Sequence, residues 1–328
     1  MKLKLKILIF LIFFFGIHNA HGSNWSFIVM SDIHIYASGA IPSKFKTMVN
    51  YIVKKRPDNV FITGDHTSGN IGDPYSLDHI NMWYDQLDKA LDPLYKAGII
   101  VIPTVGNHDF YQEYNQIAYK KWALRTLKKY KNTLNLDLSN PLYFNFHYKA
   151  QDFFIMKFWT FRFNKEQKEW FESKTIIKPE SYRFAFGHVP LKSIRGRTTQ
   201  SFYKSVLESF IKGNVDIYFS GHEHMHWDEY LPSANSSRVL RQLTVGTTSG
   251  TYNHPIRLQA RDIHCEDNQT CQSPATNRRF SIESRNGKEG YQVNRQNFVE
   301  VVFKDSSSYE IKSYSINSSL NLIDFYID

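Results

Sequence analysis

The chain has little sulfur with which to fix its fold or build a site, because its 328 residues include only two cysteines, Cys265 and Cys271. Thiolate partners at the usual spacing are missing, so the cysteines do not support a zinc site. No apolar run reaches the ~20 residues of a membrane-spanning helix. The formal net charge is only +9, no block of five like charges occurs, and no nucleic-acid motif is present. These absences argue against a nucleic-acid partner and a stable membrane anchor.

The N-terminal residues are typical of a secretory signal peptide. Three lysines among the first six residues precede an eleven-residue apolar run, Ile7–Ile17, and small residues follow it. We predict that residues 1–22 are the signal peptide, with cleavage after Gly22, or after Ala20 as the alternative. A permanent anchor is the weaker interpretation, because the apolar run is too short. The mature protein would then act in an extracellular, periplasmic or lumenal compartment.

In such an oxidising compartment, Cys265 and Cys271 can close a small disulfide loop. For a ring of this size, the loss of chain entropy in the unfolded state gives a stabilisation of about 2 kcal/mol. Two free thiols remain the alternative.

What the sequence does have is a series of short strings that end in metal-ligand residues. They are Asp32-Ile33-His34, Gly64-Asp65, Gly106-Asn107-His108-Asp109, Gly187-His188 and Gly221-His222-Glu223-His224. Four of the five follow an apolar, β-branched or aromatic run that predicts a buried strand, and the fifth follows a segment rich in aromatics. The ligand residues are therefore expected where strands end, with glycines that let the backbone approach an ion closely.

Spacing adds to this interpretation. Residues i and i+2 of an extended segment point to the same face, so Asp32 with His34, and His222 with His224, are each expected to converge on one centre. A histidine taken singly is more often a hydrogen-bonded core residue. Five such strings together favour a pocket that holds two cations.

The order of these strings resembles the calcineurin-like metallophosphoesterases, whose motifs are Asp-x-His, Gly-Asp, Gly-Asn-His-Asp/Glu, Gly-His and Gly-His-x-His. The resemblance implies a dinuclear site in which Asp65 bridges both metals. It assigns Asp32, His34 and His224 to the first metal, and Asn107, His188 and His222 to the second. Mixed oxygen and imidazole donors suit Mn²⁺, Fe²⁺ or Zn²⁺, and the sequence does not choose among them.

The resemblance also implies the chemistry. A hydroxide between the ions would attack a phosphoric ester, and His108 would protonate the leaving oxygen or stabilise the transferring group. Purple acid phosphatases have a tyrosine three residues after the bridging aspartate, and phosphoprotein phosphatases have an aspartate there that orients the histidine. This chain has Ser68 at that position, so we expect no tyrosinate–iron colour. Asp109, His66 and the backbone remain the candidates for orienting His108.

Helical patterns alternate with the predicted strands, which indicates an α/β protein. They are Lys44–Lys55, Leu77–Ala97, Tyr114–Tyr130, Lys165–Ser173 and Ser201–Lys212. The resemblance implies a two-sheet β-sandwich flanked by helices, with the metal site at the C-terminal ends of the strands. Extended segments after His224 (239–245, 291–303, 309–316 and 320–327) are predicted to form the second sheet. We interpret residues 23–328 as one domain with a polar surface insertion at about 253–290.

We therefore expect an exported, metal-dependent hydrolase that acts on a small phosphomonoester. A phosphodiesterase on the same scaffold is the main alternative, and a catalytically silent binding protein is a second. Silent relatives usually lose ligands, whereas all seven are present here. The sequence does not indicate the oligomeric state or the natural substrate.

Overall fold

The computed structural model describes residues 24–35, 38–69, 76–177, 179, 181–193, 198–248 and 297–316, together with the backbone of strands at 264–265, 270–273, 278–282, 291–293 and 322–327. The predicted signal peptide and much of the predicted insertion lie outside these residues. Within them, no helix combines the length and the apolar character needed to cross a membrane.

The described part contains six helices, and all but the four-residue α4 agree closely with the helical patterns of the sequence. They are α1 Ser43–Lys55, α2 Leu77–Lys96, α3 Glu113–Lys128, α4 Lys131–Leu134, α5 Lys165–Lys174 and α6 Gln200–Lys212. Three of them begin at a capping residue whose side-chain oxygen accepts a backbone N–H of the first turn: Ser76, Asn164 and Thr199. Helix α1 ends where Arg56 adopts a left-handed conformation, directly before Pro57. Local sequence signals therefore set these four helix ends.

Sixteen strands are described. In chain order they are β1 Trp25–Met30, β2 Asn59–Thr63, β3 Ile100–Thr104, β4 Phe144–Tyr148, β5 Gln151–Ile155, β6 Arg183–Phe186, β7 Ile217–Ser220, β8 His226–Ser233, β9 Ser236–Thr244, β10 His264–Cys265, β11 Thr270–Ser273, β12 Arg278–Ile282, β13 Tyr291–Val293, β14 Asn297–Phe303, β15 Tyr309–Ile316 and β16 Leu322–Ile327. The first sheet has the order β16-β15-β14-β1-β2-β3, and the second has the order β10-β11-β12-β13-β8-β9-β7-β6-β5-β4.

Each sheet contains a parallel block that points its carboxyl ends toward the site. In the first sheet, β1, β2 and β3 are parallel. In the second, β5, β6, β7 and β9 are parallel. An isolated parallel bridge between Ser31 and Thr247 joins the segments that follow β1 and β9. Ligands commonly bind outside the carboxyl ends of parallel strands, so the fold places the loops where the sequence predicts a site.

The layers follow from the alternation of side chains along the central strands. Phe27 and Val29 of β1 point between the sheets, where Phe61 and Phe186 stack with ring centroids 3.9 Å apart. Ile28 points the other way, into the core under the first three helices. Helices α5 and α6 cover the outer face of the second sheet with residues such as Phe171 and Phe210. The result is the predicted helix–sheet–sheet–helix arrangement, and it explains why these strands are almost continuously apolar.

One part of the strand prediction was wrong. Strand β9 belongs to the second sheet as expected, but β14, β15 and β16 extend the first sheet, with β14 antiparallel to β1. The segment 291–303 is also two strands, β13 and β14, in different sheets. Apolar periodicity identifies a strand but carries no information about its partner, which is why the sequence could not assign the sheet.

Strands β10, β11 and β12 come from the predicted insertion and extend the edge of the second sheet beside β13. Cys265 and Cys271 occupy paired positions of antiparallel β10 and β11. The disulfide itself stays a prediction.

Candidate metal centre

Five loops at the strand ends bring together all seven predicted ligand side chains. They follow β1 (Asp32, His34), β2 (Asp65), β3 (Asn107), β6 (His188) and β7 (His222, His224). Two groups of ligand atoms form, one from Asp32, His34, Asp65 and His224 and the other from Asp65, His188 and His222, and within each group the atoms lie within 4.8 Å of one another. Asp65 belongs to both groups, as the bridging assignment requires.

The convergence has a different local cause from the one expected. Asp32 and His34 do not continue an extended strand: their φ angles are 53° and 50°. His222 and His224 are likewise left-handed, with φ of 70° and 56°. Asp32 and His34 do join one group as predicted, but not through an extended strand, whereas the prediction that His222 and His224 share a centre was wrong, because they divide between the two groups. Left-handed conformations of non-glycine residues carry a strain that the surrounding structure must offset, and such residues concentrate at functional sites.

Asp32 and Asp65 each accept a backbone N–H with one carboxylate oxygen and present the other oxygen to the imidazoles. Asp32 Oδ2 accepts the backbone N–H of His222 at 3.0 Å, and its Oδ1 lies 3.2 Å from His224 Nε2. Asp65 Oδ1 accepts the backbone N–H of His108 at 2.8 Å. Its Oδ2 lies 3.2 Å from His188 Nε2 and 3.7 Å from His34 Nε2. Asp65 Oδ2 is thus the atom placed between the two groups.

Asn107 completes the second group with a neutral oxygen. Its Oδ1 lies 2.8 Å from both His188 Nε2 and His222 Nδ1. His188 donates its Nδ1–H to the backbone carbonyl of Thr63 at 2.8 Å, which fixes the tautomer that turns the Nε2 lone pair into the site. The sequence did not reveal this carbonyl, because a backbone acceptor has no residue-type signal.

The spacing and chemistry of these atoms fit metal ions. Two pairs of imidazole nitrogens face each other at 3.2 Å, His34 Nε2 with His224 Nε2 and His222 Nδ1 with His188 Nε2. Ligands ~2.1 Å from a common ion are separated by about 3 to 3.4 Å at octahedral or tetrahedral angles. The observed separations match such edges. Carboxylate, amide oxygen and imidazole suit Mn²⁺, Fe²⁺ or Zn²⁺.

Electrostatics prepare the centre for cations. Burial alone would raise the pKa of Asp32 and Asp65, but the neighbouring histidines, His224 for Asp32 and His188 for Asp65, hold both pKa values well below their ordinary range. Burial opposes protonation of His188, yet Asp65 raises its pKa to about 9. Burial lowers the pKa of His222 to about 3. The metal-free site therefore keeps its carboxylates ionised and carries a proton on His188, where an ion would replace it.

His108 sits beside the shared carboxylate. Its Nδ1–H donates to the backbone carbonyl of Ser68, and its Nε2 lies 3.8 Å from Asp65 Oδ2. The backbone, and neither Asp109 nor His66, orients this ring. Asp109 and His66 instead pair with each other, with Nδ1 of His66 2.8 Å from Asp109 Oδ2.

The buried pair of Asp109 and His66 links the loop after β2 to the loop after β3. Asp109 accepts the backbone N–H groups of His66 and Gly106 and the hydroxyl of Tyr84. Burial would raise the pKa of Asp109, but His66 lowers it. The carboxylate therefore fixes the loop of Asp65 against the loop of Asn107.

Two threonines hold the Asp32 loop. Thr247 Oγ1 donates to the carbonyl of Asp32, and Thr248 Oγ1 donates to the carbonyl of Ser31, both at 2.8 Å. The described part of the turn after β9 therefore anchors the loop that carries Asp32 and His34 through these two side chains.

The family assignment agrees with this geometry. Residues 26–226 match the family model of the calcineurin-like phosphoesterases, and the chain belongs to that family. It is therefore a metal-dependent phosphoesterase. A search among curated proteins by sequence finds no match.

Solved structures share the fold. A purple acid phosphatase, PPD1, from yellow lupin (Lupinus luteus) seeds superposes with a TM-score of 0.62 at 14% identity over 92% of this chain, which spans 53% of the lupin chain. GAP50, the anchor in the inner membrane complex of Plasmodium, superposes with a TM-score of 0.56 at 12% identity, and the match covers 93% of this chain and 89% of the GAP50 chain. A dimetal phosphatase from Danio rerio superposes with a TM-score of 0.53 at 10% identity, and the match covers 92% of this chain and 98% of the Danio rerio chain. Identities this low show the fold alone.

Proposed function

We propose that this protein is an exported phosphatase that uses two divalent ions to hydrolyse phosphomonoesters. The observation that carries the proposal is the pair of ligand groups that share Asp65, with His108 facing the same carboxylate oxygen. Both groups keep every ligand that the resemblance assigns. When bound, two ions would supply an activated water and neutralise charge on the phosphoryl group.

The chain's own residues prepare this chemistry. The backbone N–H of His108 holds Asp65 Oδ1, so Oδ2 is left to be shared between the groups. The carbonyl of Ser68 binds Nδ1 of His108, which leaves Nε2 as the atom that can hold a proton for the leaving oxygen. A positioned general acid contributes about 10²–10⁴-fold to the rate.

Preference for monoesters draws support from two structural neighbours that are named as phosphatases. Phosphodiester hydrolysis is the alternative on the same site. A binding role without catalysis has one observation in its favour. The structural match with GAP50, which is named as an anchor, covers most of this chain and most of GAP50. The intact ligand set of this protein favours catalysis.

The test compares p-nitrophenyl phosphate with bis(p-nitrophenyl) phosphate. Purified mature protein would be loaded in turn with Mn²⁺, Zn²⁺ or Fe²⁺, its metal content measured, and kcat/KM determined across pH. We expect two ions per chain and a higher kcat/KM for the monoester. A higher value for the diester would reverse the substrate class. Hydrolysis of neither ester by protein that carries two ions would favour a binding role.

Export is proposed from the N-terminal sequence, which lies outside the described residues. Expression of the full chain in a secreting host and N-terminal sequencing of the exported product test it. A start at residue 23, or at 21 for the alternative cleavage, is expected. Retention of the intact chain inside the cell would contradict export.

A further inference from the structure

Tyr111 touches two functional residues of the site at once. It lies in the loop between β3 and α3, four residues after Asn107, and its residue surface is 38% exposed. Its hydroxyl oxygen accepts a hydrogen bond from Nδ2 of Asn107. Its ring centroid lies 4.8 Å from that of His108, with the planes at 63°. No sequence motif pointed to this residue.

The bond to Asn107 decides which end of the amide faces the second group. A side-chain amide has an oxygen that can bind a cation and an NH₂ group that cannot, and a half turn exchanges them. The Oδ1 atom of Asn107 lies 2.8 Å from His188 Nε2 and from His222 Nδ1. Binding of Nδ2 to Tyr111 on the opposite side holds the amide in this orientation.

We propose that Tyr111 is a positioning residue that holds the amide of Asn107 with its oxygen toward the second metal ion and packs against His108. The inference rests on the proposed two-ion site. Tyr111 lies outside the five ligand strings, and its hydroxyl acts on the site through Asn107. Partners that orient metal ligands in this way commonly change metal affinity by about 10–100-fold when they are removed.

The first experiment removes only the hydroxyl. Tyr111→Phe keeps the ring beside His108 and deletes the acceptor for Nδ2. In calorimetric titration of the full mature chain with Mn²⁺, we expect the second ion to bind at least about tenfold more weakly and the first ion to bind as in the wild type. Tyr114→Phe is the matched control, because Tyr114 lies at the start of α3 and is 50% exposed. This control is expected to leave both affinities unchanged.

A double-mutant cycle separates positioning from a general loss of structure. Asn107→Ala removes the amide, so no donor is left for the hydroxyl of Tyr111 to hold in place. In that background, Tyr111→Phe is expected to have less than a twofold effect on the second ion, since the two side chains act as one unit. Equal weakening by Tyr111→Phe in both backgrounds would overturn the inference.

The outcomes also distinguish the inference from the function on which it rests. If the wild type binds two ions and Tyr111→Phe binds the second ion equally well, only the role of Tyr111 is overturned. A wild type that binds no pair of ions would overturn the proposed function and this inference together. Equal melting temperatures of the metal-free variants would show that the fold is intact.

Discussion

The Nδ1–H of His108 donates to the main-chain carbonyl of Ser68, so a backbone atom orients the ring that faces Asp65. The side chain of Ser68 takes no part in that bond, because its hydroxyl donates to the carbonyl of His34. The orientation of His108 therefore depends on the path of the loop after β2. This resolves the question that the serine at position 68 raised in the sequence.

His108→Asn is expected to lower kcat by about 10²–10⁴-fold while two ions still bind, because Asn cannot hold a proton for the leaving oxygen. The loss should be larger for phenyl phosphate than for p-nitrophenyl phosphate, since nitrophenolate leaves without much protonation. Ser68→Ala keeps the carbonyl and is expected to retain kcat within about twofold of the wild type. Equal losses for both esters would contradict an acid role.

Asp65→Ala is expected to abolish turnover and to leave at most one ion per chain, because both ligand groups share this carboxylate. Elemental analysis after dialysis provides the measurement. Asp92→Ala is a suitable control, since Asp92 forms an exposed ion pair with Lys96 and such pairs contribute little. A pair of tightly held ions in Asp65→Ala would refute the bridging assignment.

Local sequence signals were enough for five of the six described helices and for the position of the site. Caps and amphipathic spacing gave α1, α2, α5 and α6 to within one or two residues, and the five strings followed strand ends as expected. The helical prediction at 114–130 likewise captured α3, which runs over Glu113–Lys128.

What escaped prediction depends on contacts between distant parts of the chain. Sheet membership of β14 depends on pairing with β1, far away in sequence. The acceptors for His108 and His188 are the carbonyls of Ser68 and Thr63, and any residue type supplies a carbonyl. Left-handed conformations at Asp32 and His222 also have no residue signature, because the surrounding contacts impose them.

Gly221→Ala is expected to damage the centre. A Cβ atom on residue 221 would lie 1.8 Å from Ser31 Oγ and 2.5 Å from Asp32 Oδ2, so the loop after β7 must move away from the loop after β1. We expect a loss of about 1–3 kcal/mol in unfolding free energy and weaker metal binding. Urea unfolding and Mn²⁺ titration measure the two effects.

Gly98→Ala is the control for that substitution. Its φ is +74° but nothing lies within 4 Å of a Cβ atom at this position, so the cost is backbone strain of about 1–2 kcal/mol. Metal affinity should stay at the wild-type value. If Gly221→Ala behaved like Gly98→Ala in metal binding, close approach of the backbone would not be required at residue 221.

Tyr218 provides a prediction with a defined pH dependence. Its buried hydroxyl donates to the carbonyl of Val189 at 2.7 Å, next to the predicted ligand His188, and burial raises the pKa of this phenol well above its ordinary value of 10.0. The neutral phenol's contribution to stability is complete below pH ~10. It falls above that pH, because the unfolded chain then loses the proton that the folded chain keeps.

Tyr218→Phe should therefore be less stable than the wild type by about 1 kcal/mol at pH 8, through loss of the hydrogen bond. The difference should shrink by about 1.4 kcal/mol per pH unit above pH 10, because only the wild type has this phenol to ionise on unfolding. Urea unfolding of the metal-free proteins at pH 8, 10 and 11 measures it, with Tyr114→Phe as an exposed control. A difference that stayed constant up to pH 11 would show that Tyr218 titrates in the folded state like an exposed tyrosine. The packing of the strand that leads into the site would then be looser than the structure describes.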